Sequence, residues 1–315
     1  MKRLATLIFA ALLFAAPAAA ADWTVPGDFA TIQDALDDPG VVDGDRILVG
    51  PGAFDGAIVN KGVEIRGIGG STIVGGPVHG SGLIQGFRLV SGADGATISH
   101  LRFTEDVDLT IMNGAAVNDV TVEHCRFENS IQAISNWIGS GWIISHNRIV
   151  DLRTRCGGGI GILVADWTAQ PDGVKNNVIS HNKIYGTLHV SEDDCGGYCG
   201  TGIVLYADFR GGAPGAIEIS NNRIVKNRIS LVSDNPGLVD VVAIELTDTR
   251  NDPNVVPYPV VFDNAIGFND LRGTEWTMAF TPEDLEDCNY ISRNLGKVKN
   301  RGHGEHPSVF GPGGH

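Results

Sequence analysis

Basic residues are scarce in this chain: 23 lysines and arginines stand against 37 aspartates and glutamates, a net charge of −14. A nucleic-acid surface neutralises phosphates with Lys and Arg, so no nucleic-acid partner is expected. The same balance disfavours a polyanionic sugar polymer unless a cation such as Ca²⁺ bridges acid to acid. Long apolar runs are missing after the N-terminal segment, so no membrane span is expected in the mature chain. No Pro/Ser-rich linker interrupts the middle of the sequence, and one long domain is expected rather than several. Amphipathic runs of 3.6-residue period are also missing, which excludes a helical solenoid.

What is present is a repeat. Ile144-Ser145-His146-Asn147-Arg148-Ile149 is rewritten as Ile179-Ser180-His181-Asn182-Lys183-Ile184 and as Ile219-Ser220-Asn221-Asn222-Arg223-Ile224. Looser copies begin at Ile98 and Val122, and a degenerate one at Ile266, so the steps are 24, 22, 35, 40 and 47 residues. Each copy alternates apolar and polar residues, which is strand periodicity. A step of 22 to 24 residues fits one turn of a coil of short strands. Successive turns then stack as parallel strands about 4.8 Å apart, each burying its apolar face only against its neighbours. The slot holding Cys125, Asn147, Asn182, Asn222 and Asn269 sits where the strand bends. Asn tolerates left-handed backbone and bonds through its amide, so this column reads as an internal asparagine ladder. His100, His124, His146 and His181 form a second column. It reads as rings packing on their own kind, with metal ligation as the alternative.

These hexamers resemble the right-handed parallel β-helix repeat of the pectate-lyase-like superfamily, over about residues 23–300. The resemblance implies an all-β, single-stranded solenoid with a short N-terminal capping helix, here starting at Thr31 with Ile32-Gln33-Asp34-Ala35-Leu36. It implies no single activity, because such folds carry lyases, hydrolases, esterases, epimerases and non-catalytic proteins. The domain plan is a signal peptide over 1–21, the β-helix over 22–300 and a Gly/His/Pro tail over 301–315. Lys2 and Arg3, the apolar run Leu4 to Phe14 and Ala18-Ala19-Ala20 carry the signal-peptide reading and with it export to the periplasm or beyond. The opening around Asp45 to Gly52 is similar to that of pectin methylesterases, without their catalytic aspartate motifs. Gly302-His303-Gly304 matches a polygalacturonase fragment without its partners.

The long middle turns mark the candidate site, since loops on a rigid scaffold are where function sits. Gly161-Ile162-Leu163-Val164, Gly202-Ile203-Val204-Leu205 and Ala243-Ile244-Glu245-Leu246 read as equivalent second strands with insertions on both sides. Alternation points Ile162, Ile203 and Ile244 inward and Leu163, Val204, Tyr206, Glu245 and Thr247 outward, onto the expected floor of a groove. The repeat is expected to decay after residue 260, with a short helix starting near Thr281-Pro282.

Asp208, Glu245 and Asp248, with Arg210, are the candidate catalytic residues. Two carboxylates facing across a groove can act as acid and base on a glycosidic bond. Stacked, Asp166, Asp208 and Asp248 can instead hold Ca²⁺, the one cofactor expected, while an arginine takes the proton. Glu192, Asp193 and Asp194 would face them from the opposite wall. Trp167, Tyr198, Tyr206 and Phe209 suit sugar stacking, and Arg153 and Arg155 suit substrate binding. The expected partner is a polysaccharide or cell-surface glycan. The competing expectation is a non-catalytic extracytoplasmic binding or accessory protein, its acids merely solvated loop residues. Of the five cysteines, Cys125 is expected buried and free. Cys156, Cys195, Cys199 and Cys288 are left as disulfide candidates with three pairings open, metal binding by Cys195 and Cys199 being the alternative.

Overall fold

The structure is a computed structural model that describes residues 19–155, 157–167, 173–193, 199–209, 217–250 and 252–296. The segment before residue 19, read above as part of a signal peptide, and the residues after 296 lie outside the described residues. The chain winds as a coil. Each circuit places one short strand in each of three sheets of ten, eight and seven strands, paired in parallel. In one circuit these strands are Ile143–Ser145, Arg148–Arg153 and Ile160–Asp166. We call the sheets they belong to the first, second and third. The longer later circuits add a three-stranded sheet of Val174–Lys175, Ile219–Ser220 and Val261–Phe262.

β-Branched residues suit a pleated, half-buried surface, and here they fill the interior of the coil. Ile144, Ile149 and Ile162 of one rung lie on Ile179, Ile184 and Ile203 of the next. Those lie in turn on Ile224, Ile229 and Ile244. All nine are 0% exposed. The second-strand alignment therefore stands.

The third hexamer does not stand as aligned. Ile179 pairs with Ile224, not Ile219. Ile219 pairs with Val174 in the small sheet, because the turn before it has grown long enough to form a strand of its own. Two asparagine ladders result. Asn147, Asn182, Asn227, Asn269 and Asn294 form one; from Asn182 on, each Oδ1 accepts from the backbone and side-chain amides of the preceding asparagine, while Asn147 Oδ1 accepts from the Cys125 backbone amide. Asn177, Asn222, Asn264 and Asn289 form the other at the second bend. Asn222 thus belongs to a ladder that the hexamer pattern merged with the first. Cys125 fills the first ladder's slot and is buried, and that burial pushes its thiol up to about 12.

Left-handed residues recur at the first ladder's bend: His100, His124, His146, His181 and Lys226 have φ between 55° and 59°. His is among the few non-glycine residues enriched there. The four imidazoles stack at 5.0, 5.1 and 4.9 Å, as the packing reading requires.

The coil is closed at its start by helix Ile32–Asp37, whose Thr31 and Asp34 make a reciprocal capping box and whose Ile32, Ala35 and Leu36 are buried. At the far end the repeat persists past residue 260. Ala265–Gly267, Trp276–Thr281 and Tyr290–Ser292 continue the sheets, and a 3-10 turn forms at Glu283–Glu286.

Candidate functional site

Within the third sheet a break in the alternation sets which side chains face out. A Cβ at Gly161 or Gly202 would press on the core residues Ile184 or Ile229, so both the glycine and the following isoleucine face inward. Gln132, Ile160 and Thr201 then face out, followed by Ser135, Leu163, Val204 and Glu245, and by Trp137, Ala165, Tyr206 and Thr247. This face is not an open floor. Leu163 and Val204 are 0% exposed, Tyr206 1% and Glu245 4%. Leu163, Val204 and Tyr206 belong to a second apolar cluster, outside the coil, with Met112, Ile131 and Trp137, and Trp167 packs against it.

That cluster holds polar groups. Glu245 accepts from the Thr201 hydroxyl at 3.0 Å, and Gln132 accepts from Ser135 at 2.8 Å. Gln85 Oε1, Gln132 Nε2, Trp137 Nε1 and Trp167 Nε1 are buried with no hydrogen-bond partner among the described residues. Native proteins seldom leave such atoms unmet, and four along one face mark it as a place for polar contact.

At the entry edge of this sheet a cleft of about 580 Å³ is lined by Asp108, Asn129, Ile131, Arg153, Thr154, Arg155, His189, Val190, Ser191 and Asp193. Ile131 belongs to both the cleft and the outer cluster, so the two are continuous. Arg153 is pinned as a wall: it donates to the Asn129 carbonyl and pairs with Asp108 at 2.6 Å. Arg155 is exposed and forms no ion pair among the described residues. His189 Nδ1 lies 3.1 Å from Asp234 Oδ2, while Asp234 Oδ1 accepts from the Val190 amide at 2.9 Å. A carboxylate on Nδ1 fixes the imidazole tautomer and leaves Nε2 as the working nitrogen.

The structure thus brings Arg153, Arg155 and Asp193 together, and places Glu245, Trp167 and Tyr206 on the adjoining face. Glu192 is exposed beside Asp193. The aspartates at the strand exits are set differently. Asp166 and Asp248 follow Val164 and Leu246 by two residues and share their inward side, away from Glu245. Asp248 is 0% exposed and holds Arg250 bidentately at 2.6–2.9 Å, an ion pair that anchors the following loop through Val255 O and Pro257 O. Phe209 lies under that guanidinium, 4.4 Å from ring centroid to carbon. Asp166 accepts from the Glu218 amide at 3.1 Å, and Ala207, not Asp208, stands between Asp166 and Asp248 in register. Two rungs put these carboxylates' strands about 9–10 Å apart. Among the described residues no group of three His, Cys, Asp or Glu is placed to hold a metal ion.

Cys288 is a free thiol, so the pairings that required it are not formed; burial and the neighbouring Asp284, Asp287 and Asp263 push it up. Cys199 is buried at the start of strand Cys199–Ala207. Cys156, Cys195, Tyr198, Asp194 and Arg210 lie outside the described residues. His189, Asp234 and Asp108 were missed from the sequence. Carrying the second-strand alignment back through Gln132 to Leu109 would have set Asp108 beside the same insertion as Arg153.

A coil of stacked parallel strands with asparagine ladders and a site at its long turns defines the class: a parallel β-helix. The chain belongs to the right-handed beta helix region family, whose model matches residues 61–256. A curated relative is a cell surface glycoprotein of Methanothermus fervidus, 26% identical over 70% of this chain; the chain spans 41% of that relative's length. Two solved structures show a low similarity to the chain. One is an alginate lyase from Paenibacillus, 14% identical, covering 91% of this chain and 99% of its own, at a TM-score of 0.41. The other is the tailspike protein gp49 from Acinetobacter baumannii bacteriophage Fri1, a capsular polysaccharide depolymerase, 12% identical, covering 88% and 60%, at a TM-score of 0.38. Among the described residues no helix is long and apolar enough to cross a membrane.

Proposed function

We propose that this chain is an exported β-helix that binds an extracellular polysaccharide in the Arg155 cleft. The observation that carries this reading is a 580 Å³ cleft that presents an exposed Arg155, with no ion pair among the described residues, beside His189, Ser191 and Asp193. Sugars present apolar ring faces edged with hydroxyls. Val190 offers apolar surface, and Arg155, His189 and Ser191 offer polar contacts, to such a ligand. The likeness to a cell surface glycoprotein supports a location outside the cell.

Cleavage is the second reading, favoured by the His189–Asp234 pair. His189 Nε2 would take or deliver the proton while Arg155 holds an acidic or polarised group of the sugar. Ca²⁺ remains the cofactor proposed for any lyase chemistry.

The test is a panel of oligosaccharides followed by tryptophan fluorescence and calorimetry, with and without Ca²⁺. A bound sugar perturbs the indole emission, and Arg155→Ala weakens it about tenfold, the loss of one charge-assisted hydrogen bond. Absorbance of an unsaturated product that disappears in His189→Gln establishes a lyase, and reducing ends alone a hydrolase. Binding without product leaves the protein a non-catalytic adhesin or accessory factor. No binding across the panel overturns the proposal.

A further inference from the structure

The second sheet carries a feature that the chain's overall charge conceals. Its outward face begins, rung by rung, with Arg102, Arg126, Arg148, Lys183 and Arg228, paired in register as one column. Asp270 continues the column beside Arg228. The two ends are neutralised. Glu128 accepts from Arg102 at 2.6 Å and also from Arg126. Asp270 accepts from Arg272 at 2.8 Å. The middle is not. Arg148, Lys183 and Arg228 are exposed and form no ion pair among the described residues. They enclose a concavity of about 420 Å³ completed by Tyr185 and Ser230.

Like charges stacked one rung apart repel one another, and each rung step is only about 4.8 Å. In a chain of net charge −14, three unpaired cations in line concentrate positive potential where the rest of the surface is acidic. A ligand that supplies carboxylates or sulfates at rung spacing removes that repulsion. Tyr185 offers a ring face and a phenol, and Ser230 a hydroxyl, which are contacts for a sugar rather than for a bare ion.

We propose that Arg148, Lys183 and Arg228 form an anion-binding site for a short run of acidic sugars in a linear glycan, one acidic group per rung. The flanking Glu128 and Asp270 limit its length, so a longer polyanion such as nucleic acid meets acid on both sides. The site stands apart from the Arg155 cleft. Both lie on the outward face of strand Arg148–Arg153 and its continuation, but the two sets of lining residues do not overlap.

The experiment measures binding of a galacturonic acid trimer by calorimetry at low and high salt, beside the neutral galactose trimer and a short single-stranded DNA. The acidic trimer binds, the neutral one does not, and the affinity falls with salt. Lys183→Gln with Arg228→Gln weakens it at least tenfold while circular dichroism and the unfolding midpoint stay at wild-type values. An acidic trimer that binds no better than the neutral one overturns the proposal, as does a double variant that binds like wild type. Loss in Arg155→Gln alone assigns the ligand to the cleft instead and also overturns it. Tighter binding of DNA than of the trimer would replace the glycan with a phosphate polymer.

Discussion

Replacing Asn182 by alanine should cost far more than the same change at Asn294, although both occupy the same ladder. Asn182 is 0% exposed and makes four side-chain hydrogen bonds. Its Oδ1 accepts from the Asn147 backbone amide at 3.0 Å and from Asn147 Nδ2 at 3.1 Å, while its Nδ2 donates to Ile144 O at 2.8 Å and Asn227 Oδ1 at 3.0 Å. Two of those partners keep a substitute: Asn147 Nδ2 still donates to Val122 O, and Asn227 Oδ1 still accepts from the backbone amide of residue 182. The Asn147 amide does not, and it is stranded in a dry interior. At about 1 kcal/mol net per bond, with one buried donor orphaned, the loss is about 3–4 kcal/mol. Asn294 makes equivalent bonds to Asn269 and Ile266 but is only half-buried on the last rung, where water replaces it. Its loss is about 1 kcal/mol. Urea unfolding of both variants, followed by far-UV circular dichroism and fluorescence, measures the gap. Equal losses, or an Asn182→Ala loss below about 1 kcal/mol, would refute the view that the ladder acts through buried bonds rather than backbone geometry.

Two further outcomes follow from charge. Arg250→Ala removes the counter-ion of the fully buried Asp248 and should cost about 3–5 kcal/mol, whereas Asp248→Leu with Arg250→Met recovers most of it; thermal unfolding of the single and double variants decides this. His181 is held below its ordinary value of 6.5 by partial burial and by His146 and Lys226. His100 is held down likewise, by burial, Arg66 and His124, against the opposing pull of Glu123 and Glu64. A depressed histidine binds its proton later in the folded chain than in the unfolded one, so stability is complete above about pH 6.5 and is lost as pH falls below it. His181→Asn, which keeps a residue suited to left-handed backbone, should flatten the slope of stability below about pH 6.5. An unchanged slope would mean that the stacked column contributes nothing to the acid limb.

The coil was legible because its interior repeats one instruction: Ile144, Ile179 and the second-strand isoleucines recur with the alternation that a parallel strand needs, and nothing in the interior competes with it. The register failed at Ile219 because the sequence there, Ile-Ser-Asn-Asn-Arg-Ile, satisfies the same local rules as the true copy at Ile224. Only the lengths of the turns, fixed by stacking across 45 residues, separate the two ladders. The acids misled for a related reason. Period-two reasoning takes Asp166 and Asp248 as groove residues by proximity to Glu245, yet two residues beyond Val164 and Leu246 they share the inward side, and an Arg two positions on from Asp248 closes the ion pair. Nor does alternation anticipate its own break at Gly161 and Gly202, which needs the distance to Ile184 and Ile229.

A solenoid separates its demands by direction. Inward columns must repeat apolar residues that pack on one another, because each rung is the packing surface of the next. Outward columns are released from that demand, so a repeated charge there has no packing explanation. Arg102, Arg126, Arg148, Lys183 and Arg228 sit in an outward column whose inward neighbours, Phe103, Phe127, Ile149, Ile184 and Ile229, already supply the stacking. Where carboxylates answer the cations, at Glu128 and Asp270, the column is self-sufficient. The three rungs with no such answer are the rungs on which the structure looks outward for one.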